Sequence, residues 1–131
     1  MILLQLEFPL RTVTGMNVRE HFRARARRVK AEHLITRAHL SVAAQRGALA
    51  LPRLIPLTVT LTRISNRARW LPRKKCWQAC DDDAVPPALK GVRDALAAWL
   101  GLDDGSELLT FRYAQDRGPA LAVRVRIEVP E

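Results

Sequence analysis

Residues 121–129 place Leu121, Val123, Val125, Ile127 and Val129 at every second position, with Ala122, Arg124, Arg126 and Glu128 between them. A period of two is the strand period, so one face of this segment must be buried and the other polar. A lone strand buries nothing, and the chain supplies three companions. Leu57, Val59 and Leu61 alternate with threonines, Leu4, Leu6 and Phe8 alternate with Gln5 and Glu7 before Pro9, and Leu109, Phe111 and Tyr113 alternate with Thr110 and Arg112. The run Asp116-Arg117-Gly118-Pro119 is expected to turn the 109–113 strand into the 121–129 strand as a terminal hairpin.

Two segments carry the helical period instead. From about 28 to 46, Ala31, Ile35, Ala38 and Val42 recur at spacings of 4, 3 and 4, which predicts an inward helical face, with Gly47 suited to the position just past the helix. A second helix is expected to start near Pro86 or Pro87, where proline is tolerated, to bury Val85, Leu89, Val92, Leu96 and Trp99, and to end at Gly101. The expected fold class is α/β (α+β): a small mixed four-stranded sheet in the order β-α-β-α-β-β, with two helices on one face. At 131 residues this is a single domain over 1–131. Residues 10–27, with Gly15 and Asn17, are expected to form an exposed segment, and 65–75 a basic linker.

Charge is segregated along the chain. Residues 11–75 hold sixteen Lys or Arg against Glu20 and Glu32 alone, whereas 76–131 hold six bases and ten acids. Arginine outnumbers lysine 18 to 4, which favours forked contacts to phosphate over point charges. A polyanion, and nucleic acid above all, is the expected partner. Arg23, Arg25, Arg27 and Arg28 form one candidate DNA-binding group, and Arg67, Arg69, Arg73, Lys74 and Lys75 a second. Trp70 and Trp77 flank the latter; they serve either to stack on exposed bases or to anchor the linker on the core.

Other classes recede. Met1-Ile-Leu-Leu runs directly into Gln5 and Glu7, and there is no apolar stretch of about 18 residues, so the chain is expected to be neither exported by a signal peptide nor membrane-spanning. Cys76 and Cys80 are too few for a disulfide framework or a zinc tetrahedron and fit a reducing, cytoplasmic setting. His21, His33 and His39 lack metal-ligand spacing.

Against the basic background stands an acidic island: Asp81-Asp82-Asp83 before the second helix and Asp103-Asp104 after it. A helix cap accounts for Asp83, and an Asp-Asp-Gly turn accounts for Asp104. Neither accounts for three consecutive like charges in a chain built to bind an anion. A hard divalent cation offsets that repulsion, and Mg2+, with Mn2+ as the alternative, takes carboxylates, waters and phosphate oxygens together. Basic residues bind a phosphodiester; carboxylates with a metal cut it.

Residues 80–105, CDDDAVPPALKGVRDALAAWLGLDDG, together with the early strand ending in Pro9, the loop Asn17 and the terminal hairpin, resemble the RusA-like crossover junction endodeoxyribonucleases. That family resolves four-way (Holliday) DNA junctions in recombination and repair, and is common in phages and prophages. The resemblance implies that Asp81 and Asp83 match its Asp-x-Asp, with Asp82 an alternative within the trio, Lys90 its helix lysine, and Asp104, beside Asp103, its final metal-site aspartate. The chain departs from the family in carrying Ala84 where Asn is usual and in a longer spacing to Lys90. A non-catalytic nucleic-acid-binding protein with a degenerate metal site is the alternative, and an RNA-binding protein a further one.

Geometry adds an expectation. A helix over 87–100 is roughly 20 Å long, which sets Asp83 and Asp104 at opposite ends. An antiparallel homodimer of that helix would join the two sets into composite sites related by a two-fold axis, suited to paired symmetric cuts. Lys90, two turns beyond Asp83 on the same side, is expected to lean back toward the acids.

Overall fold

The structure is a computed structural model that describes residues 1–14, 22–47, 55–103 and 105–130. It is a mixed α+β architecture with three α-helices among the described residues. Strands β1 (Ile2–Pro9), β2 (Leu57–Ser65), β5 (Leu109–Arg117) and β6 (Ala122–Glu128) form one sheet in the order β1-β6-β2-β5. β2 and β5 run parallel while the other pairs are antiparallel, so the expected four-stranded mixed sheet is present. Its period-two residues line one face: Leu4 and Phe8, Val59 and Leu61, and Val123, Val125 and Ile127 are all buried in one cluster.

The expected terminal hairpin does not form, because β2 lies between β5 and β6. The link between them passes over the end of β2, where the Gly118 N–H donates to Ser65 O at 3.4 Å. A Cβ at Gly118 would stand 2.6 Å from Ile64 Cγ2, so only glycine fits this crossing. A turn between two alternating segments is the same sequence signal whether the strands pair directly or straddle a third. Burial resolves it: β2 is buried along nearly its whole length, threonines included, as a central strand must be.

The chain order also departs from expectation. The stretch expected as a linker holds an antiparallel hairpin, β3 (Arg69–Leu71) and β4 (Cys76–Gln78), with 72–75 as its tip. The second helix is interrupted: a 3-10 turn (Asp82–Ala84) leads into α2 (Val85–Ala88), and α3 (Lys90–Leu100) begins after Leu89, whose backbone leaves helical geometry. Pro86 and Pro87 fill the first turn of α2. Gly101 ends α3 as expected, in the left-handed region at φ 72°, with its N–H on Ala98 O at 3.0 Å and that of Leu102 on Ala97 O at 2.9 Å.

Helix α1 (Phe22–Gly47) begins earlier than expected and runs through Gly47. Arg and Ala in residues 23–28 are strong helix formers without an apolar period, so periodicity is silent there while propensity favours the helix. Its inward face is also not the expected one. Ala31, Ile35, Ala38 and Val42 face outward, while Glu32, Thr36 and Leu40 are buried. Exposure is 61% at Leu34, 39% at Ile35 and 45% at Val42. Polar side chains occupy the inside because each is satisfied there: Arg28 Nη1 donates to Glu32 Oε1 at 3.1 Å and Thr36 Oγ1 donates to Glu32 O at 2.7 Å. Gly91 of α3 makes room, since a Cβ there would lie 2.7 Å from Glu32 Oε2. No helix among the described residues is long and apolar enough to cross a membrane.

Candidate functional site

The acidic trio sits in a tight segment fastened to the sheet by one side chain, Gln115 on β5. Gln115 Oε1 accepts the N–H groups of Ala79 (2.9 Å) and Cys80 (3.2 Å), while Nε2 donates to Cys80 O at 2.9 Å and to Asp82 Oδ1 at 3.0 Å. With the Cys80 Sγ–H also donating to Oε1 at 3.5 Å, a single amide thus fastens the backbone of 79 and 80 and the side chain of Asp82 through five bonds. Burial pushes the Cys80 thiol above its usual pKa, Arg63 pulls it back, and Asp81, Asp82 and Asp83 add to the rise. It is a protonated thiol at neutral pH, in keeping with a packing role.

All three carboxylates are exposed, and among the described residues no base pairs with them. Nor do they cap a helix. Asp81 precedes the 3-10 turn without a side-chain cap bond, and Ala84 stands in the cap position of α2. Asp103 behaves differently, accepting the Gly105 N–H on Oδ1 at 3.5 Å while its carbonyl takes the Ser106 N–H at 2.9 Å. The turn explanation therefore suffices for Asp103 and the cap explanation fails for the trio. Asp104, the other expected ligand, lies outside the described residues, as do Asn17 and His21.

The two acidic groups open on different clefts. Asp82 lines one of about 360 Å³ with Cys76, Trp77, Tyr113 and Gln115. Asp103 lines another, of about 390 Å³, with Lys90, Asp94 and Leu102. Lys90 thus shares a cleft with Asp103. The expected reach of Lys90 back to Asp83 along one helix is corrected by the break at Leu89: Asp83 sits in the 3-10 turn, and Lys90 is the first residue of α3. Among the described residues no three His, Cys, Asp or Glu side chains stand together as a metal-holding group.

Of the basic candidates, Arg23, Arg25 and Arg27 project from the first turns of α1 and are exposed. Arg28 is engaged with buried Glu32. Arg69 lies on β3, and Arg73, Lys74 and Lys75 form the exposed hairpin tip, where Lys75 has a φ of 52°, a conformation L residues rarely adopt. Trp70 and Trp77 pair across this hairpin edge to face at 5.4 Å, and Arg117 of β5 lies 5.6 Å over the Trp77 ring. Trp77 anchors the hairpin to the sheet, whereas Trp70 is half exposed. The anchoring alternative thus holds for Trp77, while Trp70 leaves a ring face open to solvent. Two participants were not singled out in the sequence: Gln115, which sits in an alternating strand, and Arg63, whose charge lies in another.

No family model, no curated protein and no solved structure matches the chain.

The Gln115 clamp has a measurable consequence. Gln115→Glu keeps an acceptor for the Ala79 and Cys80 N–H groups but loses the donor and sets a carboxylate against Asp82. Urea unfolding is expected to show a loss of about 1–2 kcal/mol, against less than about 0.5 for Ala114→Ser next to it on the exposed side.

Proposed function

We propose that the chain is a Mg2+-dependent, structure-selective DNA endonuclease that resolves four-way junctions by paired symmetric nicks, acting as a homodimer. The observation that carries this reading is the acidic trio: three exposed carboxylates, on a segment that Gln115 fastens through Ala79, Cys80 and Asp82, that neither cap a helix nor pair with a base among the described residues. Exposed carboxylates on neighbouring residues with no base beside them are a set that a hard cation can use.

Asp81 and Asp83 would hold the metal, since Asp82 is already occupied by Gln115. The ion supplies charge neutralisation of the phosphodiester and a lowered pKa for the attacking water. Two exposed carboxylates fit Mg2+, which binds through one or two carboxylates and fills its octahedron with water and phosphate. The basic hairpin tip and the arginines of α1 hold the flanking strands, and half-exposed Trp70 offers a ring for an unstacked base at the junction centre.

The separation of the clefts supports the homodimer. Lys90 and Asp103 share one opening that the trio does not. A two-fold partner that lays this opening against the trio adds a lysine and further carboxylates at once, and gives the two equivalent sites that paired nicks need. The inner side of α3 is committed to its own protomer, through Gly91, Val92, Ala95 and Leu96, so such a contact uses the Lys90 and Ala98 side.

The test is a labelled four-way junction and its matched linear duplex, incubated with the protein in Mg2+ and in EDTA. Paired symmetric nicks in the junction alone, lost in EDTA, are expected. Tight junction binding without cleavage in Mg2+ or Mn2+ would replace the enzyme by a non-catalytic binding protein. Equal affinity for duplex RNA would move the reading to RNA.

A further inference from the structure

Arg63 is a base at the seventh position of β2, on a strand face whose preceding residues are apolar core. It follows Val59 and Leu61 on the buried face of β2, is 7% exposed, and donates from Nε to Thr12 Oγ1 at 2.9 Å and from Nη2 to Thr12 O at 3.5 Å. Among the described residues no carboxylate pairs with it, and its Nη1 meets no acceptor. A guanidinium so largely buried without a counter-charge is expensive, and the two bonds to Thr12 hold it in place.

What surrounds it is suited to an anion. Arg63 opens on a cleft of about 470 Å³ whose wall includes Arg11, Thr14, Ser65, Arg67 and Ala79, and among the described residues no acid lines it. Arg11 and Arg67 are exposed at the rim. Thr12, Thr14 and Ser65 and the three arginines line a space that admits a phosphate with its waters. The cleft also has a defined place relative to the acidic trio. Arg63 is the register partner of Gln115 on the neighbouring parallel strand, about 4.8 Å away, and Gln115 is the residue that fastens Ala79, Cys80 and Asp82. Ala79 thus joins the floor of one site to the loop of the other.

We propose that Arg63, with Arg11 and Arg67 at the rim, forms a phosphate-binding subsite that takes a backbone phosphodiester next to the one presented to Asp81 and Asp83. Phosphate recognition itself stands on the cleft alone; that the phosphate belongs to a DNA strand being cut rests on the function proposed above.

Inorganic phosphate is the probe. In 15N-labelled protein at constant ionic strength, the Nε–H signal of Arg63 is expected to shift saturably with phosphate, with a midpoint on the order of 1–10 mM. Arg67→Gln, an exposed change that leaves the fold intact, is expected to weaken the midpoint about threefold or more. Arg63→Gln is expected to abolish the accompanying shift at the Thr12 amide and to lower the salt slope of junction binding by about one. A shift that never saturates, that chloride reproduces, or that Arg67→Gln leaves unchanged would overturn the subsite. The two readings separate cleanly. Saturable phosphate binding in a protein that cuts no junction keeps the subsite and removes the nuclease. Cleavage with a silent Arg63 signal removes the subsite and keeps the nuclease.

Discussion

Asp83→Asn is expected to lower single-turnover cleavage of a four-way junction by about 100-fold to 10,000-fold, the equivalent of several kcal/mol of lost transition-state stabilisation. Asp81→Asn is expected to match it. Junction affinity should hold or rise, because each change removes a negative charge from a surface that meets a polyanion. Neither variant should unfold, since both carboxylates are exposed and neither caps a helix through its side chain. Asp82→Asn provides the internal contrast. Its Oδ1 accepts from Gln115 Nε2 at 3.0 Å, and an asparagine oxygen accepts as well, so less than a tenfold loss is expected. Full activity in Asp83→Asn with a dead Asp82→Asn would exchange the roles within the trio. Full activity in all three would return the island to surface charge.

The strand period placed all four strands of the main sheet to within a few residues, because a half-buried strand must alternate whatever its neighbours are. It said nothing about which strands touch. The 109–117 and 122–128 strands are adjacent in sequence, and only the burial of β2 on both faces separates them in space. The hairpin at 69–78 was illegible because Pro72, Arg73, Lys74 and Lys75 read as a basic linker, while its strands have only three residues each. The acidic trio was visible as a run of charge, but its anchor was not. Gln115 and Arg63 each look like one polar residue in an alternating strand, and their partners lie 35 and 51 positions away in sequence. Long-range pairing of this kind leaves no local signal.

Helix α1 carries the sharpest disagreement between pattern and packing. The apolar stripe of Ala31, Ile35, Ala38 and Val42 has the spacing of a buried face, yet it is the row through Glu32, Thr36 and Leu40 that faces α3 and the sheet. Hydrophobic periodicity assumes that polar residues lose by being buried, and here that loss is offset by the Arg28 contact and the Thr36 bond. Leu40→Ala is accordingly expected to cost about 2–5 kcal/mol in chemical denaturation, as for a fully buried leucine. Ile35→Ala is expected to change stability by less than about 1 kcal/mol, since its side chain is partly in water. The order of these two values tests the packing of the first helix independently of any activity. If Ile35→Ala proved the costlier, the helix would be rotated by about a third of a turn, Glu32 would face water, and Gly91 would no longer be required opposite it. Arg28, released from Glu32, would then rejoin the exposed arginines of the helix as a further base for a nucleic-acid strand.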